Sequence, residues 1–140
     1  MRAVIDSSIT LAWLFADKRT PAADAVLEQV SESGATVPSL WRLEVANALQ
    51  MAVRKKRIDT SFRDASLADL RALDVEIDGD TDQHAWRGTL ALADQHRLTL
   101  YDAAYLELAH RLRLPLVTLD RELRNAASAQ GVALLGMAVP

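Results

Sequence analysis

The sequence predicts an α/β fold, in which a short parallel sheet of four or five strands is flanked by helices. Short apolar runs alternate along the chain with longer stretches of helical period. The short runs are apolar almost throughout, which suits strands covered on both faces, and the helical stretches supply the crossovers that parallel pairing requires. The strand candidates are RAVI (residues 2–5), ATVP (35–38), VEI (75–77), LPLVTL (114–119) and VALL (132–135).

Capping residues mark where the helices between these strands begin and end. Thr20 followed by Pro21 is typical of an N-cap and a first helical position, and Gly131 is typical of a residue that stops a helix. Serine, threonine and aspartate side chains accept hydrogen bonds from the free amides of a first turn. The other predicted starts are Ser39 before a helix over 40–55, Thr60 before 61–73, Asp80 before a helix to about residue 96, Tyr101, and Asp120.

Length and composition limit the classes of protein that this chain can belong to. It has 140 residues, of which 50% are hydrophobic, enough for one compact domain over residues 1–140. Its 16 Lys and Arg against 19 Asp and Glu give a net charge of −3, which excludes a global positive field, so any nucleic-acid binding must be local. The absence of cysteine excludes disulfides, thiolate chemistry and cysteine-based zinc sites.

The N-terminal segment has the outline of a signal peptide, because Arg2 precedes the apolar stretch ITLAWLFA at residues 9–16. Asp6 argues against that interpretation, since it puts a charge between the basic residue and the apolar stretch, and no small-x-small cleavage site follows. No run approaches the roughly 18 apolar residues of a membrane span. We therefore expect a soluble, cytoplasmic protein.

Two aspartates directly follow apolar strand candidates. Asp6 comes after AVI, and Asp120 comes after LVTL. A parallel α/β sheet places its ligand site outside the carboxyl ends of its strands, so both residues should lie at the same edge whatever the strand order. Each could instead simply cap the helix that follows it.

Two further acids lie on the inward faces of predicted helices. In YDAAYLELAH, Asp102 points inward, whereas Glu107 lies on the solvent side and pairs with Arg111. Glu44 interrupts an apolar stripe on helix 40–55. Both Glu44 and Asp102 could instead complement a helix dipole. The residues of that stripe are Leu40, Glu44, Asn47, Ala48 and Met51.

Four acids directed at one edge of the sheet indicate a metal site. Two carboxylates about 4 Å apart repel by about 4 kcal/mol at an effective dielectric of about 20, so gathering them does not stabilise a fold. A divalent cation removes the conflict. Oxygen-only ligation, with no cysteine and no histidine near these motifs, favours Mg²⁺ or Mn²⁺ over Zn²⁺. Such ions take phosphate oxygens as further ligands, which points to phosphoryl chemistry.

Four blocks of the sequence resemble, in order and approximate spacing, those of the PIN-domain ribonucleases, specifically the VapC-type toxins of type II toxin–antitoxin modules. The blocks span nearly the whole chain and are VIDSSIT, LWRLEVANAL, LTLYDAAYLELAHRL and LPLVTLDRELRNAA. The resemblance implies a single PIN-like domain with an acidic quartet and accompanying hydroxyls. The quartet is Asp6, Glu44, Asp102 and Asp120, the hydroxyls are those of Ser8 and Thr118, and Asn47 is a further supporting candidate.

By this resemblance, the activity is Mg²⁺- or Mn²⁺-dependent endonucleolytic cleavage of RNA that leaves a 5′-phosphate and a 3′-hydroxyl. Asp6, Asp102 and Asp120 would hold one or two ions, with Glu44 as a ligand or as a base that orients water. The resemblance also implies a cognate antitoxin that binds near the acids, and a homodimer or a hetero-oligomer of toxin and antitoxin. Glu122, at a helix start, is interpreted as a solvated first-turn acid.

Two functions of other classes compete with this one. A phosphoacceptor receiver domain shares the size, the α/β pattern and an acidic Mg²⁺ pocket, but it needs a lysine late in the chain. The lysines are Lys18, Lys55 and Lys56, which argues against it. A catalytically silent PIN-like binding module would keep the fold and use the acidic pocket to dock a basic peptide, and this alternative stays open.

The remaining conspicuous residues have structural explanations. The histidines do not cluster with the acids, which predicts surface or helix-stabilising roles rather than acid–base catalysis. The RKKR segment at 54–57 closes a helix, where its cations either complement the dipole or contact RNA. Trp13 and Trp41 are expected in the core. The histidines are His84, His96 and His110.

Overall fold

The computed structural model describes residues 1–135, which fold around a four-stranded parallel sheet, so the predicted α/β class is confirmed. The strands are β1 (Ala3–Ile5), β2 (Ala35–Val37), β3 (Val75–Ile77) and β4 (Leu116–Val117). A 3₁₀ turn, Ala16–Lys18, connects the first two helices. The helices of the described residues are α1 (Ser7–Leu14), α2 (Pro21–Ser33), α3 (Trp41–Arg54), α4 (Thr60–Arg71), α5 (Thr81–His84), α6 (Gly88–His96), α7 (Leu100–Leu112) and α8 (Arg121–Ala129).

The strands lie in the order β3-β2-β1-β4, and each neighbouring pair is parallel. Ala3 of β1 pairs with Ala35 of β2, and Val4 of β1 pairs with Leu116 of β4. The chain therefore moves outward from β1 to β3 and then returns to place β4 on the opposite side of β1. This reversal opens a crevice outside the carboxyl ends of β1 and β4, where open parallel sheets bind ligands.

The sheet is short, and its central strands are fully buried. The residues of β1 are at most 1% exposed, and both residues of β4 are completely covered. Helix α7 packs across β1 and β4 with an unbroken buried segment over residues 103–109. Each large apolar side chain buried in this way stabilises the fold by about 1.5–3 kcal/mol. None of the helices within residues 1–135 has the length and apolar content to cross a membrane.

The fifth predicted strand, VALL (132–135), does not form a strand. Leu134 makes an isolated parallel bridge to Leu116 at the outer edge of β4. The Leu116 amide donates to the carbonyl oxygen of Ala133 (2.8 Å), and the Leu135 amide donates to the carbonyl oxygen of Leu116 (3.1 Å). These bonds cover the edge without extending the pairing, because β4 itself is two residues long.

Helix ends are well predicted where a polar side chain with extended backbone precedes the helix. Thr20 and Asp120 each cap their helices by accepting a hydrogen bond from an amide three residues later. Helix α7 begins one residue before Tyr101. Gly131 lies just beyond α8 with a φ of +72°, a conformation that ends helices.

Two predicted caps are wrong. Ser39 does not cap α3, which begins at Trp41 without a side-chain cap, because the chain already turns through the hydrogen bond from the Trp41 amide to the carbonyl of Pro38 (3.1 Å). Thr60 is the first residue of α4 rather than its cap. Asp59 has extended backbone and accepts the hydrogen bond instead, so the capping role moves one residue earlier.

The single helix predicted from Asp80 to residue 96 is divided into α5 and α6. The break falls at residues 85–87, where the Arg87 amide bonds to the carbonyl of His84 (3.1 Å), and α6 then begins at Gly88. Glycine disfavours a helix interior by about 1 kcal/mol relative to alanine, which weakens the continuous helix at this point. The change of direction allows both α5 and α6 to pack against α7.

The prediction that Glu107 and Arg111 face solvent is wrong. Glu107 is 7% exposed, because α5 and α6 pack against α7. The predicted pair is nevertheless present, since Arg111 Nε donates to Glu107 Oε2 (2.9 Å). Arg111 Nη2 also donates to Oδ2 of Asp78, the residue that follows β3 (2.6 Å). One guanidinium therefore neutralises two buried carboxylates.

Helix α3 buries a face one residue away from the predicted stripe. Glu44 is half-buried on the flank of that face, whereas Asn47 and Met51 are exposed. Trp13 and Trp41 are in the core as predicted, and each donates its indole N–H to a buried oxygen atom. The buried residues of α3 are Trp41, Val45, Leu49 and Ala52.

Replacing Gly34 by alanine should destabilise the fold. Gly34 ends α2 with a φ of +81°, and a Cβ there would collide with the ion pair between Arg2 and Asp74. We expect Gly34→Ala to lower the free energy of unfolding in urea by about 1–3 kcal/mol. Gly79→Ala is the matched control, because a Cβ at Gly79 meets nothing within 4 Å. Equal losses in the two variants would contradict this account.

Candidate active site

Asp6 is the first residue after β1, where it is both a helix cap and a buried charge. Its Oδ1 accepts hydrogen bonds from the Ile9 amide (3.1 Å) and the Ser8 hydroxyl (2.7 Å). Its Oδ2 accepts a short hydrogen bond from the Thr118 hydroxyl. The residue is only 4% exposed. The local sequence therefore supplies two donors, and Thr118 supplies a third from across the sheet, to a carboxylate that the fold removes from water.

The hydroxyls of Ser8 and Thr118 join the first turn of α1 to the loop after β4. The Leu119 amide donates to Ser8 Oγ (3.0 Å), and the Asp120 amide donates to Thr118 Oγ1 (3.0 Å). The two hydroxyl oxygens are 3.4 Å apart. Because both hydroxyls also donate to Asp6, this network places the start of α8 beside the end of β1.

Three of the predicted acids line one open pocket at this crevice. Asp120 caps α8 by accepting from the Leu123 amide (3.0 Å), and Asp102 lies in the first turn of α7 behind the cap residue Thr99. The pocket has a volume of about 510 Å³, room for a hydrated ion and a phosphate group. Its lining residues are Asp6, Ser7, Ser8, Leu11, Lys18, Asp102, Leu119 and Asp120.

Glu44, the fourth predicted acid, is connected to this group through Tyr105. The Tyr105 hydroxyl donates to Glu44 Oε1 at 2.5 Å, and Tyr105 is itself 1% exposed. Tyr105 lies one turn after Asp102 on α7. Glu44 is outside the lining of the aspartate pocket, but it is close enough to Asp102 for the two negative charges to repel.

Burial and mutual repulsion raise the pKa values of three of these acids. Burial raises the pKa of Asp6 to about 6, against the hydrogen bonds that it accepts, and the charge of Asp102 adds to the rise. Burial also raises the pKa of Glu44 and of Asp102. The negative charge of Asp102 adds to the rise in the pKa of Glu44, and the negative charge of Asp120 adds to the rise in the pKa of Asp102. The four acids therefore share one electrostatic environment.

The other sequence candidates lie outside the pocket. Asn47 is exposed on α3, and Glu122 is an exposed first-turn acid of α8 whose charge helps to raise the pKa of Asp102. The histidines are dispersed, as predicted. His84 lies 3.8 Å from Glu107, His96 is hydrogen-bonded to Gln130 (2.8 Å), and His110 is exposed.

The sequence pattern did not predict two members of the site. Lys18 lines the pocket from the 3₁₀ turn, with its Nζ 5.6 Å from the centroid of the Phe15 ring. As an isolated cation in a loop, it carries no periodic signal. Tyr105 could have been found, because it follows Asp102 by three residues and so shares its face of the helix.

The potential ligand atoms of this pocket are of the chemical type that hard divalent cations prefer. Asp6, Asp102 and Asp120 offer only oxygen atoms. Burial, and to a smaller extent neighbouring carboxylates, raise the pKa values of Asp6 and Asp102, and a bound cation would favour their charged forms. Within residues 1–135, no three His, Asp or Glu side chains are already spaced as ligands of one ion. The fit therefore depends on the donor chemistry and on the shared pocket.

The charge on Asp6 should destabilise the metal-free protein. Its folded pKa of about 6 exceeds the ordinary value of 3.8, so its contribution to stability is complete below about pH 4 and is lost as the pH rises through 6. We expect the free energy of unfolding of the wild type, measured in EDTA, to fall relative to Asp6→Asn by on the order of 3 kcal/mol between about pH 4 and 7. The surface control Asp69→Asn should show the same dependence of the free energy of unfolding on pH as the wild type. If Asp6→Asn also showed the wild-type dependence, the destabilisation would not come from the charge of Asp6.

Removing the Tyr105 hydroxyl should raise the pKa of Glu44 further. Burial raises this pKa, and the hydrogen bond from Tyr105 opposes the rise. In metal-free protein, the titration of the Glu44 carboxyl carbon by NMR should therefore move to higher pH in Tyr105→Phe. Tyr101→Phe is the matched control, because Tyr101 lies one turn earlier on α7 and is 64% exposed. An unchanged titration in Tyr105→Phe would show that the hydrogen bond does not hold Glu44.

The sequence matches the PIN domain family over residues 3–129. It is 29% identical over 123 residues to Ribonuclease VapC3 of Pyrobaculum aerophilum, an alignment that covers 88% of this chain and 92% of that protein. The four acids and their supporting hydroxyls all lie inside the range that the family matches. The resemblance noted in the sequence blocks is thereby confirmed.

Solved structures share the fold. The crystal structure of PAE2754 from Pyrobaculum aerophilum aligns with a TM-score of 0.67 at 23% identity, over 99% of this chain and 88% of that one. A toxin-antitoxin complex from Klebsiella pneumoniae aligns with a TM-score of 0.56 at 21% identity, over 84% of this chain and 86% of that one. On the family match and the common fold, the chain belongs to the PIN-domain family and is a relative of Ribonuclease VapC3.

Proposed function

We propose that this chain is a Mg²⁺- or Mn²⁺-dependent endoribonuclease and the toxin of a toxin–antitoxin pair. One observation carries the proposal: Asp6, Asp102 and Asp120 line a single pocket at the topological switch point, and within residues 1–135 none of them forms an ion pair. Negative charge that the protein does not neutralise suits a pocket that takes up cations. The family match and the ribonuclease relative support RNA cleavage as the use of that pocket.

In this proposal the three aspartates hold the cation, and the hydroxyls of Ser8 and Thr118 orient the carboxylate of Asp6. Ser8 and Thr118 fix the carboxylate of Asp6 by hydrogen bonds, so its orientation is set before any ligand arrives. When bound, a divalent cation lowers the pKa of a ligated water and neutralises charge that grows on the scissile phosphate. Lys18, on the rim of the pocket, supplies a positive charge from the protein for the same phosphate.

Glu44 is assigned to orient the attacking water and to accept its proton. The hydrogen bond from Tyr105 holds one of its oxygens, and the other can receive the proton. Water attacks the phosphorus, the bond to the ribose 3′ oxygen breaks, and that oxygen leaves with the bonding electrons and is protonated. The products are a 5′-phosphate and a 3′-hydroxyl. A 2′,3′-cyclic phosphate cannot arise by this route.

An antitoxin and a second copy of the chain are the proposed protein partners. The related structure from Klebsiella pneumoniae is a toxin-antitoxin complex, which supports a bound inhibitor for this chain. Three large apolar side chains, Leu43, Tyr101 and Trp86, are between 64% and 88% exposed, which suits contact with other proteins. We place this activity in the cytoplasm, where cellular RNA is available as substrate.

The rival that remains is a silent binding module that uses the acidic pocket to dock a basic peptide. Its pocket would need negative charge but no catalytic geometry. Cation binding alone does not separate the two functions, because any ion bound by the native state stabilises it. Loss of RNA cleavage upon an isosteric change in one acid does separate them.

Asp102→Asn should abolish RNA cleavage while preserving the fold. The change removes one charge from the pocket and leaves the shape of the side chain. Incubation of purified protein with total bacterial RNA in Mg²⁺ or Mn²⁺, followed by sequencing of new 5′-phosphate ends, should give discrete ends for the wild type. We expect a loss of about 100-fold or more in the variant.

The exposed acid Asp69 provides the control for charge. Asp69→Asn removes the same charge outside the pocket and should cleave as the wild type does. Identical ends from the wild type and Asp102→Asn would attribute the cleavage to a contaminant. The absence of cleavage by the wild type with either metal would favour the binding module.

A further inference from the structure

A groove of about 1010 Å³ lies between the 3₁₀ turn after α1, the end of α3 and the start of α4. Phe15, Arg57 and Phe62 are among its walls. The lining residues of the groove and of the acidic pocket are different, but Lys18 lies between them. It lines the acidic pocket, and its Nζ lies 5.6 Å from the centroid of the Phe15 ring. Groove and pocket are thus neighbours on one surface.

The end of helix α3 gives this groove a concentration of positive charge. The RKKR segment, residues 54–57, is exposed throughout. Arg54 is the basic residue of the last helical turn, whereas Lys56 and Arg57 lie beyond the helix end and both line the groove. The helix dipole acts mainly within the last turn, so it does not account for these two cations. Both cations are placed to contact a ligand in the groove.

Two acids, Asp17 and Asp59, line the groove beside these cations. Arg57 lies 3.9 Å from Asp17 in an exposed pair of little energetic value, and no other ion pair involves Lys18 or residues 54–57. The carboxylate of Asp59 also accepts the capping hydrogen bond from the Phe62 amide (2.8 Å). Within the lining, Asp17 and Asp59 balance Lys56 and Arg57, so the excess positive charge next to the acidic pocket comes from Arg54, Lys55 and Lys18 around the groove.

Aromatic rings accompany these cations. Lys18 and Arg57 both approach the Phe15 ring, at 5.6 and 5.9 Å from its centroid. Phe62, on the first turn of α4, is 41% exposed on the groove wall. Cations that follow a phosphate backbone, beside an exposed ring on which a base can stack, are the recurring features of sites for single-stranded nucleic acid.

We propose that this groove binds the single-stranded flank of the RNA whose scissile phosphate lies in the acidic pocket. Lys56 and Arg57 contact phosphates of the flank, Phe62 stacks on a base, and Lys18 contacts the backbone where it passes from groove to pocket. A duplex keeps its bases paired and stacked, so it cannot use Phe62. The inference rests on the proposed function and narrows its substrate to unpaired RNA.

Fluorescence anisotropy with a labelled, mixed-sequence single-stranded RNA of about 16 nucleotides tests the groove. Titrations in EDTA at several salt concentrations measure binding without cleavage. We expect Lys56→Gln/Arg57→Gln to weaken binding about tenfold at low salt and to reduce the salt slope by about 1.4, since each phosphate contact contributes about 0.7. Phe62→Leu should weaken binding about fivefold and leave the salt slope unchanged. Binding of a duplex of the same length should not depend on Phe62.

The matched control is Arg71→Gln/Arg113→Gln. Both arginines are exposed, neither lines the groove, and the change in net charge is the same. This variant should keep the wild-type salt slope, and thermal melting of every variant checks the fold. Equal effects of the two double variants, or none in either, would overturn the proposal. Unchanged RNA affinity with lost co-purification of the antitoxin would also overturn it, because the groove would then serve a protein.

The same measurements separate the groove from the nuclease. If the wild type cleaves RNA and the groove variants bind and cleave as it does, the groove proposal fails and the proposed function stands. If RNA binding depends on the groove but the wild type cleaves nothing, the proposed function fails and the groove proposal stands.

Discussion

The architecture of the site depends on one buried carboxylate, that of Asp6, at the point where the sheet reverses direction. Its three hydrogen-bond donors come from the first turn of α1 and from the loop after β4. Those two segments can meet only because β1 and β4 are adjacent, although more than a hundred residues separate the two strands in sequence. The same contacts put Asp120 at the mouth of the crevice, and α7, packed across both strands, brings Asp102 to it.

The chain treats its buried acids in two different ways, and the difference separates a structural cluster from the candidate active site. Burial acts to raise the pKa of Asp78, but hydrogen bonds from Arg111 and neighbouring groups outweigh it, so the pKa is lowered. No residue of the described chain does the same for Asp6 or Asp102, and their pKa values are raised. When no neighbouring group compensates a buried carboxylate, its negative charge does not stabilise the fold. Its negative charge is useful only toward something that binds.

Much of the site could be predicted because its signals are local. An acid directly after a buried strand lies at the carboxyl edge whatever the strand order, and this rule alone predicts that Asp6 and Asp120 share an edge. The inward direction of Asp102 follows from helical period in the same way. Tertiary packing decides what local rules do not. Glu107 carries the pattern of a surface residue and is buried because α5 and α6 pack against it, and VALL has the composition of a strand but meets a β4 too short to pair with it.

Lys18 and the groove beside it also could not be predicted from local sequence rules. In the sequence, a lysine in a turn and a basic segment at the end of a helix are ordinary features. They become neighbours only because the 3₁₀ turn packs beside α3 and α4. The acids, by contrast, indicate a shared site through their repulsion. Chemistry that depends on one type of residue is therefore easier to find in a sequence than surfaces composed of mixed residues.

Binding of Mn²⁺, followed by electron paramagnetic resonance in the wild type and in Asp102→Asn, tests the central claim most directly. If uncompensated carboxylates form the cation site, the wild type should bind Mn²⁺ about tenfold more tightly at about pH 7.5 than at about pH 5, because Asp6, with a pKa of about 6, must lose its proton. Asp102→Asn should lose most of that affinity at the higher pH. Equal, pH-independent binding by both proteins would show that the four acids do not act together.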